Sequence, residues 1–391
     1  MHERPKVALL IESSRAYGRG LLRGIAAYLR NHRPWSVYVE PHGLDEPPPR
    51  WLSKWQGDGI LARVNDRRIS QTIETLGLPA IDLRGAMADS KIPLLGLNND
   101  TVVQLAFEHL QEHGFRHFAF CGVAPGEFRM LEMRAERFQR LVEASGCSFS
   151  SFPRDTDARP AKTWDQQQQQ MSRWVLELPK PVGILACHDD RGHELLNACR
   201  EVQVAVPDDV AVIGVDNDEV LCELSDPPLS SVNSNTEQIG YRAATLLDQM
   251  MAGEITLAGD TLMEPSGVVA RRSTDTLAID DREIASAMRF IREHACDGIN
   301  VEDLLRRIPL SRSTLDRRFA AIFRRSPSDE IMRLRLERVA QLLVETEYPL
   351  TKIAALAGFE HSEHMGTLFR RKQGQTPGEY RKARKAAQPG G

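Results

Sequence analysis

Polar side chains of the types that bind sugar hydroxyl groups follow the apolar runs in the first part of the chain. They are Arg15 after the first run, Asn98 and Asn99 after Leu97, Arg134 beyond the run ending at Val123, Asp189 after His188, and Asp216 after Val215. A carboxylate accepts from two neighbouring hydroxyl groups, an asparagine donates and accepts, and an arginine donates as a planar fork. Arg15, Asn99, Arg134, Asp189 and Asp216 are therefore predicted to bind a sugar. Taken singly, the same residue types also suit strand ends and helix starts in any protein.

The residues between these side chains alternate between apolar runs and helical patterns. Apolar runs begin at residues 6, 35, 59, 79, 94, 117, 183 and 210, and helical spacing marks residues 20–30 and 102–113. Near-continuous apolar strands separated by helices indicate a parallel sheet covered on both faces. Two such sets, split around Val123, predict a two-lobed α/β body. In open sheets of this kind, ligands bind beyond the carboxyl ends of the strands.

The last part of the chain contains the same helical pattern twice. The first copy has a turn at residues 308–310, Ser311 as a helix N-cap, and Leu315 and Phe319 facing inward. The second has Gly358 at its turn and Met365 and Phe369 facing inward, with Phe369 lying 50 residues after Phe319. A long helix over residues 328–346 joins the copies. Two helix-turn-helix units on a connecting helix predict an all-α domain.

The charge of the chain is unevenly distributed. The whole sequence has a formal net charge of −4, yet residues 284–391 hold 20 Lys and Arg against 13 Asp and Glu. An acidic body with a basic end indicates that only the end domain contacts a polyanion, predicted to be double-stranded DNA.

Exposed positions on the second helix of each unit are predicted to contact DNA. They are Arg312, Ser313, Asp316 and Arg317 in the first copy, and Ser362, Glu363, His364 and Thr367 in the second. Arg370, Arg371 and the neighbouring Lys372 are predicted to contact phosphate, which sets register without reading sequence.

Residues 5–270 resemble the effector domain of LacI-type repressors, which is itself similar to periplasmic sugar-binding proteins. The resemblance rests on "LLGLNNDTVVQLAFEHLQEHGFRHFAFCG", "GILACHDDRGHELLNACREVQVAVPDDVAVIGVDNDE" and "PPLSSVNSNTEQIGYRAATLL". It implies a sugar-binding and dimerisation domain in which Arg134, Asp189 and Asp216 occupy ligand-binding positions. The chain has Asn98 where the family usually has Asp, and it lacks the N-terminal DNA-binding headpiece of such repressors.

Residues 284–385 resemble the DNA-binding domain of the AraC/XylS family of transcription activators. The matching segments are "SRSTLDRRF", "RLRLERVAQLL" and "IAALAGFEHSEHMGTLFRRKQGQTPGEYR". The resemblance implies two recognition helices held about one DNA turn apart, roughly 34 Å. Met365 replaces the family's usual aromatic residue, and Thr367 stands where many members have Arg. Residues 271–283 are predicted to be the linker.

A LacI-like body followed by an AraC-like end resembles regulators of pentose operons. This resemblance implies D-xylose as the effector, activation of xylose catabolic genes, a homodimer on repeated half-sites, and contact with RNA polymerase. Arabinose, ribose or another sugar remains an open alternative.

Two other classes of function are alternatives for this sequence. His188, Asp189 and Asp190 would be the acid/base group of a sugar-processing enzyme, but adjacent residues on an extended chain point in opposite directions. The sequence has no P-loop, nucleophile elbow or metal motif, so no catalytic residue, cofactor or metal is predicted. The remaining alternative, a sugar-binding adaptor whose basic end binds protein or RNA, is disfavoured by the duplicated helix-turn-helix pattern.

The cysteines and the lengths of the apolar runs predict the cellular compartment of the protein. The six cysteines form no Cys-x-x-Cys pair and are predicted to be reduced thiols of a cytoplasmic protein. No apolar run reaches the roughly 18 residues of a membrane span, and the first run is too short for a signal peptide.

Overall fold

A computed structural model describes residues 4–40, 49–87, 89–123, 128–152, 163–257, 259–276 and 281–387. The chain divides into two compact units, residues 1–276 and 277–391, which are called the first and second unit below.

The first unit begins with a four-stranded parallel sheet. Its strands are β1 (Lys6–Leu10), β2 (Ser36–Val39), β3 (Gly59–Ala62) and β4 (Ala80–Asp82), in the order β2-β1-β3-β4. The helices between them are α1 (Ala16–Asn31) and α2 (Arg67–Leu76). All of β3 and β4 is buried, as expected of strands whose side chains are apolar on both faces.

A six-stranded sheet forms the rest of the core of the first unit. Its strands are β6 (His117–Cys121), β7 (Ser148–Phe152), β8 (Val182–Ala186), β9 (Val210–Val215), β10 (Ser230–Asn233) and β12 (Gly267–Val269). The order is β12-β10-β9-β8-β6-β7, and β12 alone among these runs antiparallel to its neighbour. A separate parallel pair joins β5 (Leu95–Leu97) to β11 (Thr261–Met263).

Six more α-helices follow in the described part of the first unit. They are α3 (Asn99–Glu112), α4 (Arg129–Ala144), α5 (Trp164–Glu177), α6 (Asp189–Glu201), α7 (Glu219–Leu224) and α8 (Thr236–Met251). The predicted two-lobed α/β body is confirmed, but the split lies earlier than Val123. β6 pairs with β7 and β8 and therefore belongs to the second sheet. The chain passes from the first sheet to the second through α3, before β6 begins.

Close packing of α1 on α8 is possible because both helices present glycine. A Cβ on Gly24 would lie 1.9 Å from the carbonyl oxygen of Glu237, and one on Gly240 would lie 2.1 Å from that of Leu21. The two backbones therefore approach closer than any larger residue allows.

The second unit is all helical. It contains α9 (Arg282–His294), α10 (Val301–Leu305), α11 (Arg312–Phe323), α12 (Pro327–Glu345), α13 (Leu350–Leu356), α14 (Ser362–Gln373) and α15 (Pro377–Ala387). Two apolar clusters form its core, one around Leu315 and Phe319 and the other around Met365 and Phe369, and α12 contributes to both. All four of these side chains are fully buried, as predicted. The 19 residues of α12 span about 28 Å at 1.5 Å per residue.

Serine side chains cap the starts of α11 and α12. Ser311 accepts from the backbone N–H of Thr314 at the start of α11, and Ser326 forms a capping box with Asp329 at the start of α12. Gly358 has φ +76°, and a Cβ there would lie 2.8 Å from the carbonyl oxygen of Cys296. Glycine is required at this turn for both reasons.

The predicted linker, residues 271–283, begins earlier than the observed one. Ser273 and Thr274 are buried in the first unit, where Ser273 donates to the carbonyl of Val212 over 2.6 Å. Residues 277–280 lie outside the described residues, and α9 begins at Arg282, two residues before the predicted position.

Candidate functional site

A cavity opens at the carboxyl ends of the strands of the first unit. It encloses about 820 Å³, including space open to solvent. The polar residues that line it are Arg15, Tyr17, Arg63, Arg84, Asn99, Arg129, Arg134, His188 and Asp216. Four of the five predicted sugar-binding residues are therefore brought together, and Asp189 is not among the lining residues.

Arg134, on α4, lines the cavity and is almost completely buried. Its Nε donates to Oδ1 of Asn99 over 2.8 Å, and its Nη1 donates to the carbonyl oxygen of Cys187. Burial lowers the pKa of Arg134, and the nearby carboxylate of Asp216 acts in the opposite direction. The guanidinium is thus held in a fixed orientation by two neutral acceptors.

Asp216 follows β9 with a left-handed backbone, φ 110°, and its N–H donates to the carbonyl of Val232 over 2.9 Å. Oδ1 accepts from the hydroxyl of Ser234 at 2.7 Å. Within the described part of the chain, Oδ2 has no hydrogen-bond partner. Burial raises the pKa of Asp216, and Arg134 and Ser234 oppose that rise. The carboxylate therefore offers one oxygen to a ligand hydroxyl group.

Asp189 is buried behind the cavity, where protein groups occupy its carboxylate. Oδ1 accepts from the hydroxyl of Ser231 at 2.6 Å, and Oδ2 accepts from the backbone N–H of Asp218 at 2.7 Å. Burial, followed by the charge of Asp216, raises the pKa of Asp189 well above its ordinary value. In this arrangement, Asp189 holds the loop that follows Asp216.

Arg15 lies at the start of α1 and faces the cavity with a largely uncommitted guanidinium. Among the described residues it pairs with Asp190 at 4.0 Å, and the two side chains are 42% and 50% exposed. An ion pair this long and this exposed contributes little free energy. Arg15 is therefore available to donate to a ligand.

Cationic and aromatic side chains that the sequence analysis did not assign as ligands complete the lining. Arg63 follows β3, pairs with Glu12, and stands 4.8 Å from the ring of Tyr17. Burial raises the pKa of Tyr17 to about 12, so its hydroxyl stays protonated. Arg84 follows β4 by two residues and stands 4.6 Å from the ring of Phe128. The strand-end rule that identified Arg15 and Asp216 would also have found Arg63 and Arg84.

His188 contributes a neutral donor to the cavity. Burial and the cations Arg15, Arg191 and Arg134 lower the pKa of His188 to about 3. Its Nδ1 accepts from the backbone N–H of Arg191 at 3.1 Å, which assigns the proton to Nε2.

The first recognition-type helix, α11, exposes its predicted residues to different degrees. Arg312, Ser313 and Arg317 are exposed and Asp316 is half-buried. Arg312 pairs with Glu302 over 2.6 Å, whereas Arg317 forms no ion pair within the described residues. The adjacent Arg318 instead packs α11 onto the start of α9 by donating to Asp281 over 2.6 Å.

The second recognition-type helix, α14, is exposed along its predicted face. Glu363, His364, Thr367, Arg370 and Arg371 are exposed, and Ser362 is half-buried. The hydroxyl of Thr367 donates to the carbonyl of Glu363 over 3.0 Å, so part of its hydrogen-bonding capacity is used within the helix. Neither Arg370 nor Arg371 forms an ion pair with another described residue.

The described residues offer neither a metal-binding cluster nor a membrane-spanning helix. Among the described ranges, no group of three or more His, Cys, Asp and Glu side chains is arranged to hold a metal ion. No helix in the part of the chain that the structure describes is long and apolar enough to cross a membrane.

Three family models match successive parts of the chain. The XylR N-terminal domain matches residues 6–94, a periplasmic binding protein-like domain matches residues 107–274, and a helix-turn-helix domain matches residues 304–383. A sugar-binding type of body joined to a duplicated helix-turn-helix domain defines a sugar-responsive transcription regulator, and not an enzyme.

Relatives of known function match the chain from end to end. The xylose operon regulatory protein of Escherichia coli (strain K12) is 30% identical over 97% of both chains. Its counterpart in Haemophilus influenzae is 29% identical over 96% of this chain and 98% of its own. A solved structure of a xylose-binding transcription activator has a TM-score of 0.63 and 29% identity, covering 98% of this chain and 99% of that one. This chain belongs to the family of xylose operon regulatory proteins.

Proposed function

We propose that this protein is an activator of xylose catabolic genes whose effector is D-xylose. The observation that carries the proposal is the arrangement of Asp216, Arg134 and Asn99 in one cavity of the first unit, where one oxygen of Asp216 has no hydrogen-bond partner among the described residues. The names of the relatives that span the whole chain support xylose over other pentoses. The proposal assigns sugar binding and dimerisation to residues 5–270 and DNA binding to residues 284–385.

Each polar group of the cavity has a role toward a neutral pentose. Asp216 accepts from hydroxyl groups, while Arg134, Arg15 and Nε2 of His188 donate to hydroxyl and ring oxygens. The amide of Asn99 has already committed its oxygen to Arg134, so it acts mainly by holding that guanidinium. Asp189, whose oxygens are both occupied, positions the Asp216 loop.

The loop after β9 offers a route from the sugar to the linker. Asp216 lines the cavity, and the next residue, Asn217, accepts through Oδ1 from Nη1 of Arg271 over 3.0 Å. Arg271 also donates to Glu223 over 2.8 Å and to the carbonyl of Leu229 over 3.0 Å. Sugar binding that shifts this loop changes the hydrogen bonds at the base of the linker. A near-complete switch needs about 5 kcal/mol of preference for one state.

The proposal extends to partners through the class of protein. A cytoplasmic homodimer would present two pairs of recognition helices to repeated half-sites, and contact with RNA polymerase would turn DNA binding into activation. We expect sedimentation of the full chain to show a dimer at micromolar concentration.

Two arginines of the second unit are expected to affect DNA binding differently. Arg317→Ala should weaken operator binding by about 1–3 kcal/mol and relax base preference at one position, because Arg317 is exposed on the face of α11. Arg371→Ala should weaken binding to all sequences and lower the slope of log affinity against log salt by about 1. Fluorescence anisotropy on operator and scrambled DNA measures both effects.

Arg289→Ala is the matched control, since Arg289 is exposed on α9, outside both helix-turn-helix units. Equal losses on operator and scrambled DNA for Arg317→Ala would contradict its assignment to base reading.

The function as a whole is tested by transcription in vitro. A promoter of xylose catabolic genes, RNA polymerase and the full chain are combined with D-xylose, L-arabinose or D-ribose. Transcripts that rise with D-xylose alone support the proposal. An equal response to another pentose would show that the regulator answers to that sugar, and no response to any pentose would contradict the proposal.

A further inference from the structure

Arg19, on α1, joins the chain segments that follow one strand of each sheet in the first unit. Its Nη1 donates to the carbonyl oxygens of Ser13 and Ser14 over 3.1 and 2.8 Å, and its Nη2 donates to Oδ2 of Asp218 over 3.4 Å. Ser13 and Ser14 follow β1 and directly precede Arg15, which lines the sugar cavity, and Asp218 follows β9. One guanidinium group therefore bridges the two sheets beside the cavity.

Asp218 lies two residues after the cavity residue Asp216 and immediately before α7. Its backbone N–H donates to Oδ2 of Asp189 over 2.7 Å, and its Oδ1 accepts from the N–H of Leu221 at 3.5 Å as the N-cap of the helix. Arg19 therefore contacts the residue at which the loop after β9 continues into α7.

The other end of α7 is hydrogen-bonded to Arg271, at the base of the linker. Nε of Arg271 donates to Glu223 over 2.8 Å, and the Arg271 side chain is only 11% exposed. The backbone N–H of Arg271 donates to the hydroxyl of Ser230 over 2.7 Å, which also fixes the main chain at this point. A movement of α7 therefore acts directly on Arg271 and on the segment that leads to the linker.

Arg19 contacts this loop on the side that faces away from the sugar. It is not among the described residues that line the sugar cavity, whereas Asp216 lines both that cavity and a second groove, which Arg19 and Asp218 also line. Replacement of Arg19 therefore leaves the hydrogen-bonding groups of the sugar cavity in place.

We propose that Arg19 is a positioning residue for the response to sugar. Through Asp218 it holds the loop after β9 against α1, so that a displacement of this loop by the sugar is passed to α7 and Arg271. A ligand shifts an equilibrium only through contacts that differ between the two states, and a contact between the two sheets differs when the loop moves. This inference rests on the proposed function, because the sugar causes the displacement.

The test combines two titrations of the full chain carrying Arg19→Gln. Calorimetry measures the affinity for D-xylose, and fluorescence anisotropy measures binding to a labelled fragment of the xylose promoter with and without saturating D-xylose. We expect the affinity for D-xylose to stay within about twofold of the wild type, while the tightening of the DNA complex by D-xylose falls by about 2- to 5-fold, the effect of removing an exposed ion pair. A loss of folding stability alone would leave this ratio unchanged, since it lowers only the fraction of active protein.

Arg23→Gln is the matched control. Arg23 lies one turn later on α1 and pairs with Glu237 of α8 over 2.6 Å, and both side chains are exposed. This pair joins two helices that already pack closely through their glycines, and it does not involve the loop after β9. The response of Arg23→Gln to D-xylose should equal that of the wild type.

Asp218→Asn, alone and combined with Arg19→Gln, tests whether the two residues act as one pair. Asparagine keeps the cap of α7 but removes the charge that Arg19 contacts. The double variant should lose no more of the response than Arg19→Gln alone, because either change removes the same interaction.

The outcomes distinguish this inference from the proposed function. A wild-type response in Arg19→Gln, an equal loss in Arg23→Gln, or an additive loss in the double variant would overturn the role of Arg19 and leave the proposed function standing. A fall of about tenfold or more in the affinity of Arg19→Gln for D-xylose, the size of a lost hydrogen bond to a charged group, would make Arg19 a sugar-binding residue and would also overturn it. A wild-type protein that does not respond to D-xylose would overturn both.

Discussion

Asp216→Asn is expected to lower the affinity of the full chain for its pentose by about 10- to 100-fold, which corresponds to the 1.5–3 kcal/mol of a hydrogen bond to a charged group. The variant keeps the shape of the side chain but replaces Oδ2, which has no partner among the residues that the structure describes, by an amide donor or a neutral acceptor. Asparagine tolerates the left-handed backbone at φ 110°, so the loop should fold as before. Titration calorimetry measures the sugar affinity.

The same variant is expected to bind operator DNA as the sugar-free protein does. The second unit is untouched, so only the response to sugar should be lost. Asp260→Asn is the control, because Asp260 is exposed and does not line the cavity. Unchanged sugar affinity in Asp216→Asn would remove the central contact of the proposed site.

Glu330→Gln is expected to destabilise the second unit by about 3 kcal/mol, at the lower end of what breaking a buried ion pair costs. The Glu330 side chain is 1% exposed and accepts from two arginines: Arg333 donates to both carboxylate oxygens over 2.9 and 3.0 Å, and Arg325 also donates to Oε2. Without the carboxylate, two cations face each other beside the core. Calorimetric unfolding of the full chain should show the transition of the second unit lowered by roughly 10–20 °C.

The pH dependence of this stabilisation has a definite sign. Burial on its own raises the pKa of Glu330, but Arg333 and Arg325 outweigh it and hold the pKa below its ordinary value. A carboxyl group whose pKa is lowered by folding stabilises the protein above its unfolded pKa and loses that effect as the pH falls through the folded value. The unfolding temperature of the second unit should therefore fall in acid for the wild type and less for Glu330→Gln.

Glu337→Gln is the matched control for Glu330→Gln. Glu337 pairs with Arg333, which lies four residues earlier on α12, but the side chain of Glu337 is 57% exposed. An exposed pair of this kind contributes about 0.3–0.5 kcal/mol. Equal destabilisation by the two variants would contradict the assignment of the buried cluster as the main electrostatic support of the unit.

The sequence was sufficient to predict the main helices and the core of the second unit. Leu315, Phe319, Met365 and Phe369 recur at a fixed spacing, and burial of these side chains follows from helical periodicity alone. Ser311 was predictable as a cap, because a serine before an amphipathic run satisfies the first free N–H groups of a helix. The exposed faces of α11 and α14 followed from the same periodicity, as the positions opposite the core.

The cavity was only partly predictable. Arg15, Asn99, Arg134 and Asp216 converge because the carboxyl ends of the strands meet at one edge, which is a property of the topology. Asp189 obeys the same rule but turns away from the cavity, since Ser231 and the N–H of Asp218 lie within reach of its carboxylate. Asp218 and Ser231 lie 29 and 42 positions after Asp189 in the sequence. The pattern of residues around Asp189 therefore does not predict these hydrogen bonds.

The predicted start of the linker differs from the structure for a related reason. Arg271 and Arg272 occur in a polar stretch that is typical of a connection, yet Ser273 and Thr274 bury their small side chains against β9 and β10. Short polar side chains pack in a core when each hydroxyl group finds a partner, and only the folded structure reveals the partner.

The central claim, that sugar in the first unit controls DNA binding by the second, is tested most directly by fluorescence anisotropy. A labelled fragment of the xylose promoter is titrated with the full chain at fixed salt, without sugar and with saturating D-xylose, for the wild type and Asp216→Asn. We predict that D-xylose tightens the wild-type complex by about 5- to 150-fold and leaves the Asp216→Asn complex unchanged. Linkage requires that DNA tighten sugar binding by the same factor. Equal wild-type affinity with and without D-xylose would contradict the account.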